Sequence, residues 1–130
     1  MILCCGEALI DMLPRTHGGE KSFAPHAGGA VFNTAIALGR LGCDTAFFSG
    51  LSDDLFGQML TDALAASGVD ASPAARSDRP TTLAFVTLTD GQASYAFYDE
   101  NTAGRMLSQD DLPTLGPDTQ ALFLGGISLV

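Results

Sequence analysis

Four residues in the first quarter of the chain have the types and spacing to recognise a polyhydroxylated ligand: Asp11, the adjacent pair Gly28 and Gly29, and Asn33. A hydroxyl group both donates and accepts. A carboxylate can accept from it, a carboxamide can do both, and backbone N–H groups can donate where glycine lets the main chain come close. Each residue also has a plain structural use. Asp11 can cap a turn, the glycine pair can form a tight strand-to-helix connection, and Asn33 can cap its own helix. Spacing alone leaves both uses open.

These residues need a scaffold, and the hydrophobic pattern predicts one. ILCCGEALID reads as a single apolar strand of the kind buried in a parallel sheet, ending at Asp11. MLPR and KSFAPH are two short extended pieces joined by a turn at Gly18 and Gly19. The stretch from Gly29 to Leu41 is helical, with Gly42 as its stop, and DTAFFSGL is the next strand. SDDLFGQMLTDALAASG is a second helix capped by Ser52 or Asp53 and closed by Gly68.

The rhythm then changes. TTLAFVTLT and ASYAFYD form a hairpin around Asp90 and Gly91, and ALFLGGISLV is one more buried strand. Alternating strands and helices give an α/β fold. The hairpin, MLPR and KSFAPH fall outside the main sheet as a small antiparallel flap, spanning segments near 12–25 and 80–99. Aromatic residues Tyr95, Phe97 and Tyr98 on that flap can cover a bound ring or simply pack against the body. His17 and His26 are expected in exposed loops.

Composition excludes several classes. Fifteen acidic residues against six basic ones, a formal charge of −9, repel a nucleic-acid backbone. MILCCGEALID lacks the basic start of a secretory leader, and no apolar run reaches the roughly 20 residues that span a bilayer. Three cysteines suit a reducing cytoplasm. No His, Cys or carboxylate cluster has metal-ligand spacing, and neither GxxxxGK[ST] nor a strand-led GxGxxG occurs. The 130 residues read as one domain that ends in its core, with no second domain within them.

AGGAVFNTAIALGRLG followed by AFFSGLSDDLFGQML resembles the first signature region of the PfkB/ribokinase family of sugar kinases, bacterial fructokinases in particular. The likeness runs on through CCGEALIDMLP at the first strand, PTTLAFVTLTDG and SYAFYDENTAGRML at the lid, and ALFLGGISL before the midpoint of the fold. It implies a ribokinase-like α/β sheet flanked by helices and covered by a β lid, of which this chain is the N-terminal part. It also implies ATP-dependent phosphorylation of a primary hydroxyl of a sugar, fructose first. The alternatives are a nucleoside or sugar-acid kinase of the same fold, or a non-catalytic sugar-binding half-domain.

Carried onto this sequence, the resemblance makes Asp11, Gly29 and Asn33 hydrogen-bond the sugar. Gly28 admits the backbone, while Phe85 and Phe97 pack on the apolar edge of the sugar. The family's catalytic Asp sits in a GAGD-type segment that would fall beyond Val130, so ATP and Mg²⁺ belong to the complete enzyme and this chain alone is expected to bind neither and to be inactive. A homodimer through the lid strands is a further implication. Three positions depart from the pattern. Val31 replaces a small residue or Pro, Ser52 replaces Gly, and Asp99 stands where many members carry Arg, which removes a cation from the lid.

Overall fold

The computed structural model describes residues 1–129. ILCCGEALID is not one strand. It divides into β1 (Ile2–Cys5) and β2 (Leu9–His17), which belong to different sheets. The break falls at Gly6, where a Cβ would collide with Val31 of the first helix, so the chain turns away just as that helix crosses it.

β1 is the centre of a three-stranded parallel sheet between β4 (Thr45–Phe48) and β9 (Ala121–Leu124). The register pairs Ile2 with both Thr45 and Ala121. Strand alternation sends Cys4 and Phe47 to one face and Leu3, Ala46 and Phe48 to the other. Helices α1 (Ala30–Arg40) and α2 (Leu55–Ala66) cover the first face. There Phe32 meets Phe47 edge-on at 5.7 Å, both fully buried, and each contributes about 1.5–3 kcal/mol by leaving water. Leu107, Met1 and Cys5 back the opposite face thinly.

Both helices stop as their glycines require. Cys43 N–H donates to Leu38 O and Gly42 N–H to Gly39 O, and Val69 and Gly68 repeat the pattern at the end of α2 with Leu64 and Ala65. Gly42 and Gly68 have φ of +79° and +71°, the left-handed geometry this cap needs.

DTAFFSGL also divides. After Ser49, β5 (Gly50–Ser52) leaves the main sheet to pair in parallel with β6 (Ala75–Ser77). Ser52 is therefore a strand residue, and the cap of α2 is neither Ser52 nor Asp53 but Asp54, whose Oδ1 accepts from Gly57 N–H at 2.7 Å.

The expected flap is a four-stranded sheet in the order β3 (Glu20–Gly28), β2, β7 (Leu83–Thr89), β8 (Gln92–Tyr98). It is mixed rather than antiparallel, because β2 and β7 run the same way over Ile10–Met12. That parallel pairing stops before Pro14, which has no N–H to give, while Pro25 sits on the edge strand β3. Gly18–Gly19 and Asp90–Gly91 close the two hairpins with φ positive at both residues of each, the turn that matches strand twist. His17 and His26, expected in loops, are strand residues of β2 and β3.

β9 was expected to be buried and is not. Leu122, Phe123 and Leu124 are 48%, 41% and 53% exposed, because among the described residues β9 is an edge strand with β1 as its one partner. The remainder of ALFLGGISLV forms a short 3₁₀ turn at Ile127–Leu129, and Val130 lies outside the described residues.

Beyond apolar packing, the Asp54 side chain hydrogen-bonds the start of α2 to the entry of the outer sheet. Asp54 accepts from Thr81 N–H at 2.8 Å and from the Thr81 hydroxyl at 2.7 Å, just ahead of β7. Burial pushes this carboxyl up, but the bonds from Thr81, Gly57 and Ser52 outweigh it and hold the group below the ordinary aspartate range. A lowered folded-state value means stability present above the unfolded value and lost as pH falls through the folded one. Asp54→Ala is expected to cost about 1–2 kcal/mol at pH 7, as losing a helix cap does. Urea melts at pH 7 and pH 3 should show the gap to the parent narrowing in acid; an equal gap at both would refute this account of Asp54.

Candidate functional site

The start of α1 is built without a capping side chain of its own. Gly29, its N-cap, has φ +111°, and a Cβ there would lie 2.7 Å from the carbonyl oxygen of Glu7. The cap comes instead from 23 residues earlier. Glu7 Oε1 accepts from Ala30 N–H at 3.0 Å and from Val31 N–H at 3.3 Å, placing a carboxyl group against the positive end of the helix. Glu7 is 8% exposed, and its other oxygen, Oε2, is buried with no hydrogen-bond partner.

Asn33 is thereby relieved of capping. It lies in the first turn, where its N–H donates to Gly29 O at 2.8 Å, and its side chain is exposed. Among the described residues the Asn33 carboxamide makes no internal hydrogen bond, so the capping use that the sequence left open is not the one found.

Asp11 is the third residue of β2, not the end of a strand. Its carboxylate leans over Gly28, where any Cβ would collide with Oδ2. Gly28 is a glycine because the carboxylate occupies that space. This brings Asp11, Gly28, Gly29 and Asn33 to the mouth of α1. The Asp11 carboxylate likewise has no internal hydrogen bond among the described residues, so it caps no turn.

Register fixes what else shares this face. Asp11 lies opposite His26 on β3 and Ala84 on β7, and Ala84 lies opposite Phe97 on β8. The four residues form one rung on one face. Burial pushes the Asp11 carboxyl up, and the neighbouring His26 partly offsets this.

Phe85 is on the wrong face for the role the sequence suggested. It pairs with Met12 and Ala96 one residue along, so its ring points away from Asp11 and Phe97. There it packs edge-on against Phe23 at 5.0 Å and Tyr98 at 5.4 Å. Phe97 keeps the face of Asp11 and stacks beside Tyr95 at 6.1 Å.

Next to this rung a cavity of about 150 Å³ opens between the outer sheet and the carboxyl ends of the main-sheet strands, where α/β folds hold ligands. Glu7, Leu9, Thr82, Phe97, Asp99 and Arg105 line it, together with Ser128 from the turn after β9. Asp11 and Asn33 do not line it; Asp11 is joined to it by Leu9, which would touch a Cβ at Gly28, and by Phe97 on its own rung.

Sequence reasoning missed Glu7, Thr82, Arg105 and Ser128. Glu7 was read as part of a continuous strand; Gly6 just before it was the available signal of a break. Position 99 carries an acid, and a cation from outside the lid strands stands beside it: Arg105 Nη1 lies 3.9 Å from Asp99 Oδ2.

Comparisons with known proteins bear on the family and the fold. The model of the pfkB family carbohydrate kinases matches residues 1–120. A fructokinase of Rhizobium leguminosarum bv. trifolii is 66% identical over the whole chain, which covers 40% of that protein, and fructokinase-1 of Zea mays is 39% identical with 42% covered. Among solved structures, a fructokinase of Xylella fastidiosa with bound ATP superposes with a TM-score of 0.79 at 39% identity, over 85% of this chain and 36% of that one. The chain spans about two fifths of the length of the curated relatives it matches. With the family model covering nearly all of it, the chain belongs to the pfkB family of carbohydrate kinases.

Proposed function

We propose that the protein carrying this chain phosphorylates a sugar with ATP, that the sugar is fructose, and that residues 1–130 supply most of the sugar-binding side of the active site. The carrying observation is that Asp11 and Asn33 present a carboxylate and a carboxamide, neither with a hydrogen-bond partner among the described residues, Asp11 over Gly28 and Asn33 in the first turn of α1. Fructose supplies the several hydroxyls that such groups need. The 66% identical fructokinase favours fructose over nucleosides and sugar acids.

In this reading Asp11 accepts from sugar hydroxyls, and its raised affinity for protons makes it a stronger acceptor than an exposed aspartate. Asn33 both donates and accepts, while Gly28 and Gly29 keep the main chain close enough to touch the ring. Phe97 lies over the apolar edge of the ring and limits access of water. Pairing of two copies through the outer sheet fits the exposed Phe23, Tyr95 and Tyr98 on its two faces, and three free thiols fit a reducing cytoplasm.

In this reading ATP and Mg²⁺ belong to the remainder of the complete enzyme. Among the described residues no group of three or more His, Cys, Asp and Glu is placed to hold a metal ion, and no glycine-rich phosphate loop precedes a helix. No chemical step is assigned to these residues; their part is to bind, orient and shield the sugar.

Two outcomes are expected. The 130-residue chain alone should give no ATP- and fructose-dependent release of ADP in a coupled assay; turnover above background would contradict the assignment. Asp11→Asn in the full-length protein should weaken fructose binding at least tenfold by calorimetry, yet raise the melting temperature at pH 7. The sign follows from burial: a carboxyl raised by folding lends stability only while protonated and loses it as pH rises through its folded value. The stability gain should therefore shrink in acid. Unchanged fructose affinity in that variant would remove Asp11 from the site.

A further inference from the structure

Arg105 is the one cation among the described residues that line the cleft, in a chain with only six basic residues in all. Among the described residues its ion-pair partner is Asp99, with 3.9 Å between Nη1 and Oδ2. The contact is long, one-pronged and half exposed on both sides, so a ligand group can open it.

The backbone beneath the pair is far firmer than the pair itself. Asp99 O accepts from Thr102 N–H and from the Thr102 hydroxyl, at 3.3 and 2.9 Å. Thr102 is buried, and its hydroxyl also meets that of Thr82 at 2.8 Å. Ala103 N–H donates to Pro80 O at 3.0 Å, while Arg105 and Met106 N–H both return to Thr102 O. One turn thus carries both charges at fixed anchor points, leaving only the side chains to move. Thr82 O in turn accepts from Ile10 N–H, which ties the turn to the strand that bears Asp11.

We propose that the Asp99 and Arg105 pair sets the charge selectivity of the cleft: Asp99 occupies the guanidinium, so that the cleft accepts an uncharged polyhydroxylated ligand and turns away a carboxylate-bearing one. The other ionisable groups at hand point the same way. Glu7 forms part of the cavity lining, and Asp11 with His26 stands on the adjoining rung. Without Asp99 the guanidinium is free to make the bidentate contact that an anionic group invites. The inference rests on the sugar-binding reading of this cleft.

The test is equilibrium binding by calorimetry to the full-length protein, using fructose and two of its acids, 2-ketogluconate with the carboxylate at C1 and fructuronate with it at C6. The readout is the affinity for each acid divided by that for fructose. Asp99→Asn is expected to raise this ratio about tenfold for at least one acid, and adding Arg105→Gln is expected to cancel the rise. Asp99→Ser replaces the first variant if thermal melts show that Asp99→Asn does not fold. A ratio that stays within about twofold of the parent, or a rise that persists without Arg105, overturns the inference while fructose binding, and its loss in Asp11→Asn, leaves the sugar reading intact. Failure of the parent to bind any of the three ligands would overturn both.

Discussion

The structure hinges on one carboxyl group placed at the start of one helix. Helix α1 opens on a glycine that cannot cap it, and the two N–H groups that would be orphaned are taken by Glu7 Oε1 from the link between β1 and β2. Those two bonds tie the start of α1 to the end of β1, and Phe32 against Phe47 seats the helix on the main sheet. Because β2 leaves the same link for the outer sheet, that link also fixes where the outer sheet begins. Gly6, Gly28 and Gly29 are the complement of this arrangement, since a Cβ at each would strike Val31, Asp11 or the Glu7 carbonyl. With Glu7 bonded to the Ala30 and Val31 N–H groups, the Asn33 side chain in the first turn of α1 is left without a capping role.

A second brace acts at the far side of the outer sheet. Asp54 caps α2 and holds Thr81, and the Thr82 and Thr102 hydroxyls join the entry of β7 to the turn after β8. Each hydrogen bond of this kind is worth only about 1 kcal/mol, but they act on the same few residues. Between the two braces the outer sheet keeps one face, that of Leu9, Asp11, Ala84 and Phe97, turned over the cleft.

What the sequence made legible follows the range of the interaction concerned. Helices α1 and α2 and their ends at Gly42 and Gly68 are set by local chemistry, and so are the turns at Gly18–Gly19 and Asp90–Gly91. The grouping of Asp11, Gly28, Gly29 and Asn33 was also readable, because three of the four lie within six residues of one another. The strand breaks at Gly6 and Ser49 were missed: a lone glycine at 6 and another at 50 are the only local marks in otherwise apolar runs, and it is packing against Val31 and pairing with β6 that divide them. Phe85 illustrates the same limit more sharply. Its residue type suited the site as well as that of Phe97, but the face it occupies depends on pairing with Met12, a contact over 73 positions that no local pattern encodes. Glu7 escaped notice for a related reason, because its partners lie 23 and 24 residues away.

The two aspartates that matter most show how environment divides labour within one residue type. Asp54 is surrounded by donors, is held below the ordinary range and stabilises the fold wherever it is ionised. Asp11 is partly buried without a donor of its own, is pushed above that range, and opposes folding when ionised. A carboxylate kept unpaired in a stable protein must be tolerated by its surroundings, and here Gly28 supplies the space and His26 a partial offset. The unmet acceptor capacity of Asp11 is then available to a ligand hydroxyl, whose binding lowers the same free energy that folding left raised. The two carboxylates are thus distinguished in this chain by their hydrogen-bond donors, whatever their position along the sequence.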